Sequence, residues 1–284
     1  MKYLAGIMLL CAAVGMAKTG YAAPQKVVSL NLCTDQVAAS MLDKSQLKGL
    51  SFNASDPVLS LVSGTASDYP ALKGTAEEMA EIQPDMVLMA AGQNPQLQQW
   101  LETKKVPFFA IEHASSINAL QRQISQLAVK LGHPGYAVNL RARQNSLLQH
   151  AKLPAANMGV AIYYPRGFTD GRGTLIHDVI TRMGGRNLAA EQGKEGSEYL
   201  SLEKLISLKP DVLIIPLYDY DVVSQAEKLS QHPALKNIKA QIVPLPGQYL
   251  TCPHLGLEAI VNTIAATVRE KQRMVQVTQH KATP

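Results

Sequence analysis

Residues 134–152 read PGYAVNLRARQNSLLQHAK, and the rest of the chain is arranged around them. The spacing predicts one helix, about 28 Å long at 1.5 Å per residue. Pro134 suits the first helical position, where a missing N–H costs nothing, and Pro154 blocks continuation beyond the far end. Ala137, Leu140, Leu147, Leu148 and Ala151 recur at helical spacing, whereas Arg141, Arg143, Gln144 and Gln149 take the other face. A β/α pattern precedes this helix, a similar one follows, and no flexible linker separates them. The expectation is one rigid strut between two similar lobes.

Upstream, strands are expected at Lys26–Leu32, Leu47–Phe52, Met86–Ala90 and Val106–Ile111. Helices are expected at Thr34–Leu42 with Thr34 as N-cap, at Thr75–Ile82, at Leu97–Lys104 and at Ser116–Leu131. Thr75 followed by Glu78 has capping-box spacing. Downstream, strands are expected at Val160–Tyr164, Val212–Leu217 and Gln241–Leu245. Helices are expected at Leu175–Met183, Leu202–Leu208 and Val222–Leu229, with a last helix striped by Leu257, Ile260, Val261, Ile264 and Val268. From about Lys271 the chain turns polar and is expected to fray.

One internal echo fixes the organisation. Glu77 to Leu88 (EEMAEIQPDMVL) parallels Glu203 to Ile214 (EKLISLKPDVLI): a short helix, a Pro-Asp break and a buried strand. Strands alternating with helices imply mainly parallel sheets covered on both faces. The fold class is therefore α/β: two β/α lobes, residues 24–133 and 153–284, joined by the helix at 134–152, with a cleft between them.

The formal net charge is +5 over 284 residues, and the basic residues are scattered singly, which excludes a nucleic-acid surface. Residues 1–23 have the layout of a secretory signal. Lys2 supplies the positive start, Leu4–Val14 the apolar run, and Ala22 and Ala23 the small residues for cleavage. Lys18 interrupts the apolar run too early for a membrane span. An exported chain would keep two cysteines, Cys33 and Cys252, nearly its whole length apart. In an oxidising compartment a disulfide between them leads. A soft metal site with His254 as third ligand, or two free thiols, remain alternatives.

In open α/β sheets ligands bind beyond the carboxyl ends of strands. That rule selects Cys33, Thr34, Phe52 and Gln93 from the first lobe as ligand contacts. From the second it selects Tyr164, Arg166, Tyr218, Tyr249 and His254. Tyrosines gather at these second-lobe positions, among them Tyr163, which should face away from the cleft, and Tyr220. Trp100 reads as a packing residue, and His177 has some reach toward the cleft. No G-x-S-x-G elbow, P-loop, H-E-x-x-H or C-x-x-C is present, so no enzyme signature stands out.

The start KVVSLNLCTDQ, the paired helix–Pro-Asp–strand units, Gly173-Thr174-Leu175-Ile176-His177-Asp178 followed by Gly184-Gly185-Arg186-Asn187, and the single strut together resemble one family. These are the periplasmic substrate-binding proteins of ABC importers for iron complexes and cobalamin. The resemblance implies a stiff connecting helix, a shallow cleft, no enzymatic activity and no resident cofactor. It implies a small-molecule metal chelate as ligand, a ferric siderophore or related iron complex first and a corrinoid as alternative. It further implies a monomer that docks on a permease dimer with its ATPase, through one surface carboxylate per lobe, here Glu77 and Glu203. The rival from another class is a periplasmic metal or thiol enzyme using Cys33, Cys252 and His254.

Overall fold

The computed structural model describes residues 23–218 and 238–281. The expected leader up to Ala22, the expected helix Val222–Leu229 and Tyr220 lie outside the described residues.

The first lobe runs β1 (Val27–Ser29), α1 (Leu32–Met41), β2 (Leu47–Ser51), α2 (Ser63–Ala66), β3 (Ala71–Leu72), α3 (Ala76–Ile82), β4 (Met86–Ala90), α4 (Pro95–Lys104), β5 (Phe108–Ile111) and α5 (Ile117–Lys130). The strut follows as α6 (Pro134–His150). The second lobe runs β6 (Gly159–Ile162), β7 (Phe168–Asp170), α7 (Leu175–Arg182), β8 (Arg186–Asn187), α8 (Leu188–Glu191), β9 (Ser197–Tyr199), α9 (Leu202–Ser207), β10 (Val212–Leu217) and β11 (Gln241–Pro246). It ends with α10 (Gly247–Thr251) and α11 (Pro253–Lys281).

The two main sheets are parallel throughout, in the orders β3-β2-β1-β4-β5 and β11-β10-β6-β8. Strands β2-β1-β4-β5 therefore correspond, place for place, to β8-β6-β10-β11. The Pro-Asp echo is the seam of this correspondence. Gln83 and Lys209, one residue before each proline, both take the left-handed conformation (φ 52° and 49°) that ends the preceding helix. Each following aspartate then brackets the neighbouring strand. Asp85 donates its N–H to Lys26 O, and its carboxylate accepts from the N–H groups of Gln25 (2.7 Å) and Lys26 (2.9 Å). Asp211 donates its N–H to Gly159 O and accepts from Gly159 N–H at 2.6 Å. A short acceptor right after the proline thus locks the central strand of each sheet to its partner.

The strut is no free-standing rod. It packs between α5 and α11, and its Ala137, Leu140 and Leu148 join the core that runs through β6, α7, β10 and α11. The last helix contributes Leu257, Ile260, Val261, Ile264 and Val268 to that core, the full expected stripe. On the strut one expectation fails. Gln144 is buried, on the same face as Leu140 and Leu148, because its Oε1 accepts from Gln121 Nε2 of α5. A polar residue occupies the apolar stripe where a partner on the adjacent helix satisfies its oxygen, although its Nε2 is buried without a partner among the described residues.

Three further findings depart from the expectations. The cap of α1 is Asn31, whose side chain accepts from Cys33 N–H, while Thr34 is turned inward onto Ser29 (2.7 Å) and Asn31 O (2.9 Å). The last helix continues past Lys271 to Lys281. The ribbon of β7 and β9, which pair antiparallel, was not foreseen. The capping box of Thr75 and Glu78 is present as expected. No helix among the described residues is long and apolar enough to cross a membrane.

Candidate functional site

A cavity of about 560 Å³ lies between the lobes, at the carboxyl ends of the strands, within the ~300–1,000 Å³ usual for small-molecule sites. The first lobe lines it with Asn31 and Cys33 at the start of α1, Ala90 and Ala91 after β4, and Ile111 to Ala114 after β5. The second lobe supplies Tyr164, Asp170, the first turn of α7, Ser197, and the segment from Leu250 to His254. A neighbouring groove of about 380 Å³ shares Tyr164 and Ser197 and adds Phe168 and Tyr218.

The floor of the cavity is covalently closed. Cys33 and Cys252 form a disulfide with Cα atoms 5.0 Å apart, joining the lobes across 219 residues. The leading expectation for the pair is met, and the metal alternative is overturned. Disulfide sulfurs are not thiolates, and a soft metal needs thiolates. Among the described residues no group of three His, Cys, Asp or Glu is placed to hold a metal ion.

His254 follows the bridge at the head of α11 and is 3 % exposed. Its Nε2 is 3.0 Å from Gln123 Oε1, so Nε2–H donates and Nδ1 keeps its lone pair. That Nδ1 is buried and has no hydrogen-bond partner among the described residues. Burial, helped by nearby His113, pushes the imidazole down to about 4, so the ring is neutral at physiological pH.

The unforeseen ribbon carries a polar part of the lining. Phe168 pairs with Tyr199 and Asp170 with Ser197, so all four side chains share one face. Asp170 is 7 % exposed and accepts from Tyr164 Oη at 2.7 Å and from Ser197 Oγ. Burial foremost, then the Asp170 carboxylate, pushes the Tyr164 hydroxyl far up, so it is a fixed donor and no phenolate. Gly171 makes this wall possible: a Cβ there would meet Lys194 O at 2.0 Å, where the chain after β7 crosses the chain before β9. Gly247 does the same for Tyr218, whose ring would lie 2.2 Å from an added Cβ.

Of the residues expected to meet a ligand, Cys33, Tyr164 and His254 line the cavity, and Tyr218 lines the groove. Thr34 is buried in the first lobe by the hydrogen bonds described above. Phe52 is 60 % exposed, Arg166 is exposed at φ 66°, and neither lines the cavity. Gln93 is spent on the backbone, accepting from Ala90 N–H and donating to Leu30 O. Tyr249 packs on the main core. Tyr163 faces the opposite side of the sheet and Trp100 packs inside the first lobe, both as expected, while His177 does not reach the cavity. Glu112 and His113 were missed although they follow a strand end directly. Asp170 and Ser197 carried no sequence signal.

The geometry now has a family to match. The sequence model of a family described as "Periplasmic binding protein" matches residues 34–242. The chain belongs to that family. A search among curated proteins found no match. Among solved structures, this periplasmic binding protein resembles a possible iron-binding (periplasmic solute-binding) protein from Staphylococcus epidermidis, at 16% identity and TM-score 0.68 over 85% of this chain and 98% of that one. It resembles the periplasmic heme-binding protein RhuT from Roseiflexus sp. RS-1, at 20% identity and TM-score 0.64 over 86% and 99%. It also resembles the periplasmic heme binding protein HutB of Vibrio cholerae, at 18% identity and TM-score 0.64 over 88% and 98%. At these identities the likeness establishes the fold: a two-lobe binding protein with its cleft between parallel sheets.

Proposed function

We propose that this periplasmic binding protein captures a metal chelate in the interlobe cavity and delivers it to an ABC importer. The observation that carries the reading is the cavity itself. It is walled by both lobes, mostly apolar, and dressed with a few convergent polar groups: Tyr164, Asp170, Ser197 and His254. That is the lining of a site built to hold a small amphipathic molecule. An iron complex, such as a ferric siderophore, is the first ligand class. It is supported by the iron and heme named for the S. epidermidis, Roseiflexus and V. cholerae proteins.

Two features make the protein suited to carriage. The strut is packed along its length and the lobes are bridged beneath the cavity, so the two halves hold nearly fixed positions. Glu77 and Glu203 sit at the same place, second residue of α3 and of α9, exposed in the first turn. One carboxylate per lobe in equivalent positions suits docking on the two arginine-bearing halves of a permease dimer. Residues 1–23 would direct export and be removed. The rival metal enzyme would need the thiolates that the bridge between Cys33 and Cys252 consumes, and a thiol enzyme would need an accessible bridge, whereas Cys252 is 1 % exposed.

The test is uptake. Cells lacking this chain should lose import of one metal chelate and regain it with the intact gene. Unchanged uptake of every iron chelate and corrinoid offered contradicts the proposal.

A further inference from the structure

The cavity's charges narrow the ligand, on the premise that the protein carries a chelate. No lysine or arginine lines the cavity among the described residues, yet a carboxylate stands on each side: Glu112 from the first lobe and Asp170 from the second. Neither forms an ion pair among the described residues. Asp170 is the more telling, being almost fully buried with two hydroxyl donors and no counter-charge. A buried carboxylate without a cation is unfavourable unless something supplies positive charge or further donors. The second observation is independent. The unpartnered Nδ1 of buried His254, also on the cavity wall, is an acceptor without a donor. Tyr164 cannot serve as a donor to ligand, since its proton is committed to Asp170.

Opposing features are weaker. The N-termini of α1 and α7 face the cavity and favour anions, each with about half a charge. Their first-turn N–H groups are partly used already, by the Asn31 and Thr174 side chains. Two full carboxylates outweigh two partly capped half-charges.

We propose that the cleft selects chelates that are uncharged or cationic and carry N–H or O–H donors, and that it excludes polyanionic chelates, with Asp170 as the selecting group. The ligand would place its donors between Asp170 and His254 and its apolar face along the ribbon toward Phe168.

Calorimetry on the mature, disulfide-bonded chain tests this with four probes. Cyanocobalamin is uncharged with amide donors, ferrioxamine B is a cation with an ammonium group, and haemin and ferric citrate are anions. At least one of the first pair should bind, and both anions should bind at least about tenfold more weakly, the gap shrinking with added salt. Asp170→Asn keeps one acceptor oxygen for one of the two hydroxyls, while Ser197 Oγ can turn to accept from the new amide N–H, and it should narrow the gap by about tenfold; exposed Glu112→Gln, a safeguard against misfolding, should narrow it less. An anion binding more tightly than both others overturns the selectivity and leaves the carrier reading standing, as does a gap untouched by either substitution. Binding of none of the four also overturns the selectivity, and the carrier reading then stands or falls on the uptake test.

Discussion

Cys33, at the head of α1, and Cys252, between α10 and α11, are bonded to each other with their Cα atoms 5.0 Å apart, so the lobes meet covalently beneath the cavity. The bridge closes a loop of 219 residues, which in a chain-entropy account stabilises the folded state by about 5 kcal/mol. Reduction, or Cys252→Ser, should lower the thermal midpoint by roughly 10 °C. Ligand affinity should change little, because α6 is packed between α5 and α11 with or without the bridge. A thiol count on denatured, unreduced protein checks the premise: free cysteines at 33 and 252 would refute it.

The carboxylates proposed for docking give a second prediction. A Glu77→Gln, Glu203→Gln double variant should keep chelate affinity and thermal midpoint, since both side chains are exposed, while uptake in cells falls. Normal uptake by that variant sinks the assignment.

The aspartates of the Pro-Asp repeat predict matched costs. Asp211→Ala leaves the Gly159 N–H without its carboxylate, and Asp85→Ala does the same to Gln25 and Lys26. Each should destabilise by about 1–3 kcal/mol in urea melts. A negligible effect at both positions would show that the bracket is incidental.

Two buried groups work against each other in acid. Burial raises Asp35 to about 6, only partly offset by hydrogen bonds from Ser29 and Ser51, so its contribution is complete below about 4 and is lost as pH rises through 6. His254 is depressed to about 4, so its contribution is present above about 6.5 and is lost as pH falls through 4. The opposing slopes nearly cancel between pH 4 and 6 in the native chain. Asp35→Asn should uncover the His254 slope, with stability falling by about 3 kcal/mol from pH 6.5 to 4, and His254→Gln the reverse. Denaturant midpoints of both variants across that range decide it; parallel profiles would contradict the assignment.

What the sequence made legible, and what it hid, follows from how each feature is encoded. The strut, the parallel strands and the last helix each bury a long periodic stripe, and such stripes survive in composition. The Pro-Asp repeat exposed the two-lobe plan because it recurs at matching places, although the bracketing role of Asp85 and Asp211 needed the neighbouring strands in view. Gln144 was misplaced because its partner Gln121 lies on another helix. The cavity's polar wall stayed hidden for a related reason. Asp170 and Ser197 sit on strands too short to show alternation, far apart in sequence, and are joined only by the antiparallel register of β7 and β9. Thr34 and Gln93 stood at the right strand ends, yet their side chains were claimed by backbone groups of the first lobe.

The central claim is that the interlobe cavity carries a metal chelate, and native mass spectrometry of the protein from its own periplasm tests it most directly. The account predicts one bound metal-containing small molecule per chain, with no net negative charge, lost when the protein is denatured. A chain that comes out empty after expression alongside its natural chelates, or that carries a metal-free solute such as a sugar or peptide, would contradict it.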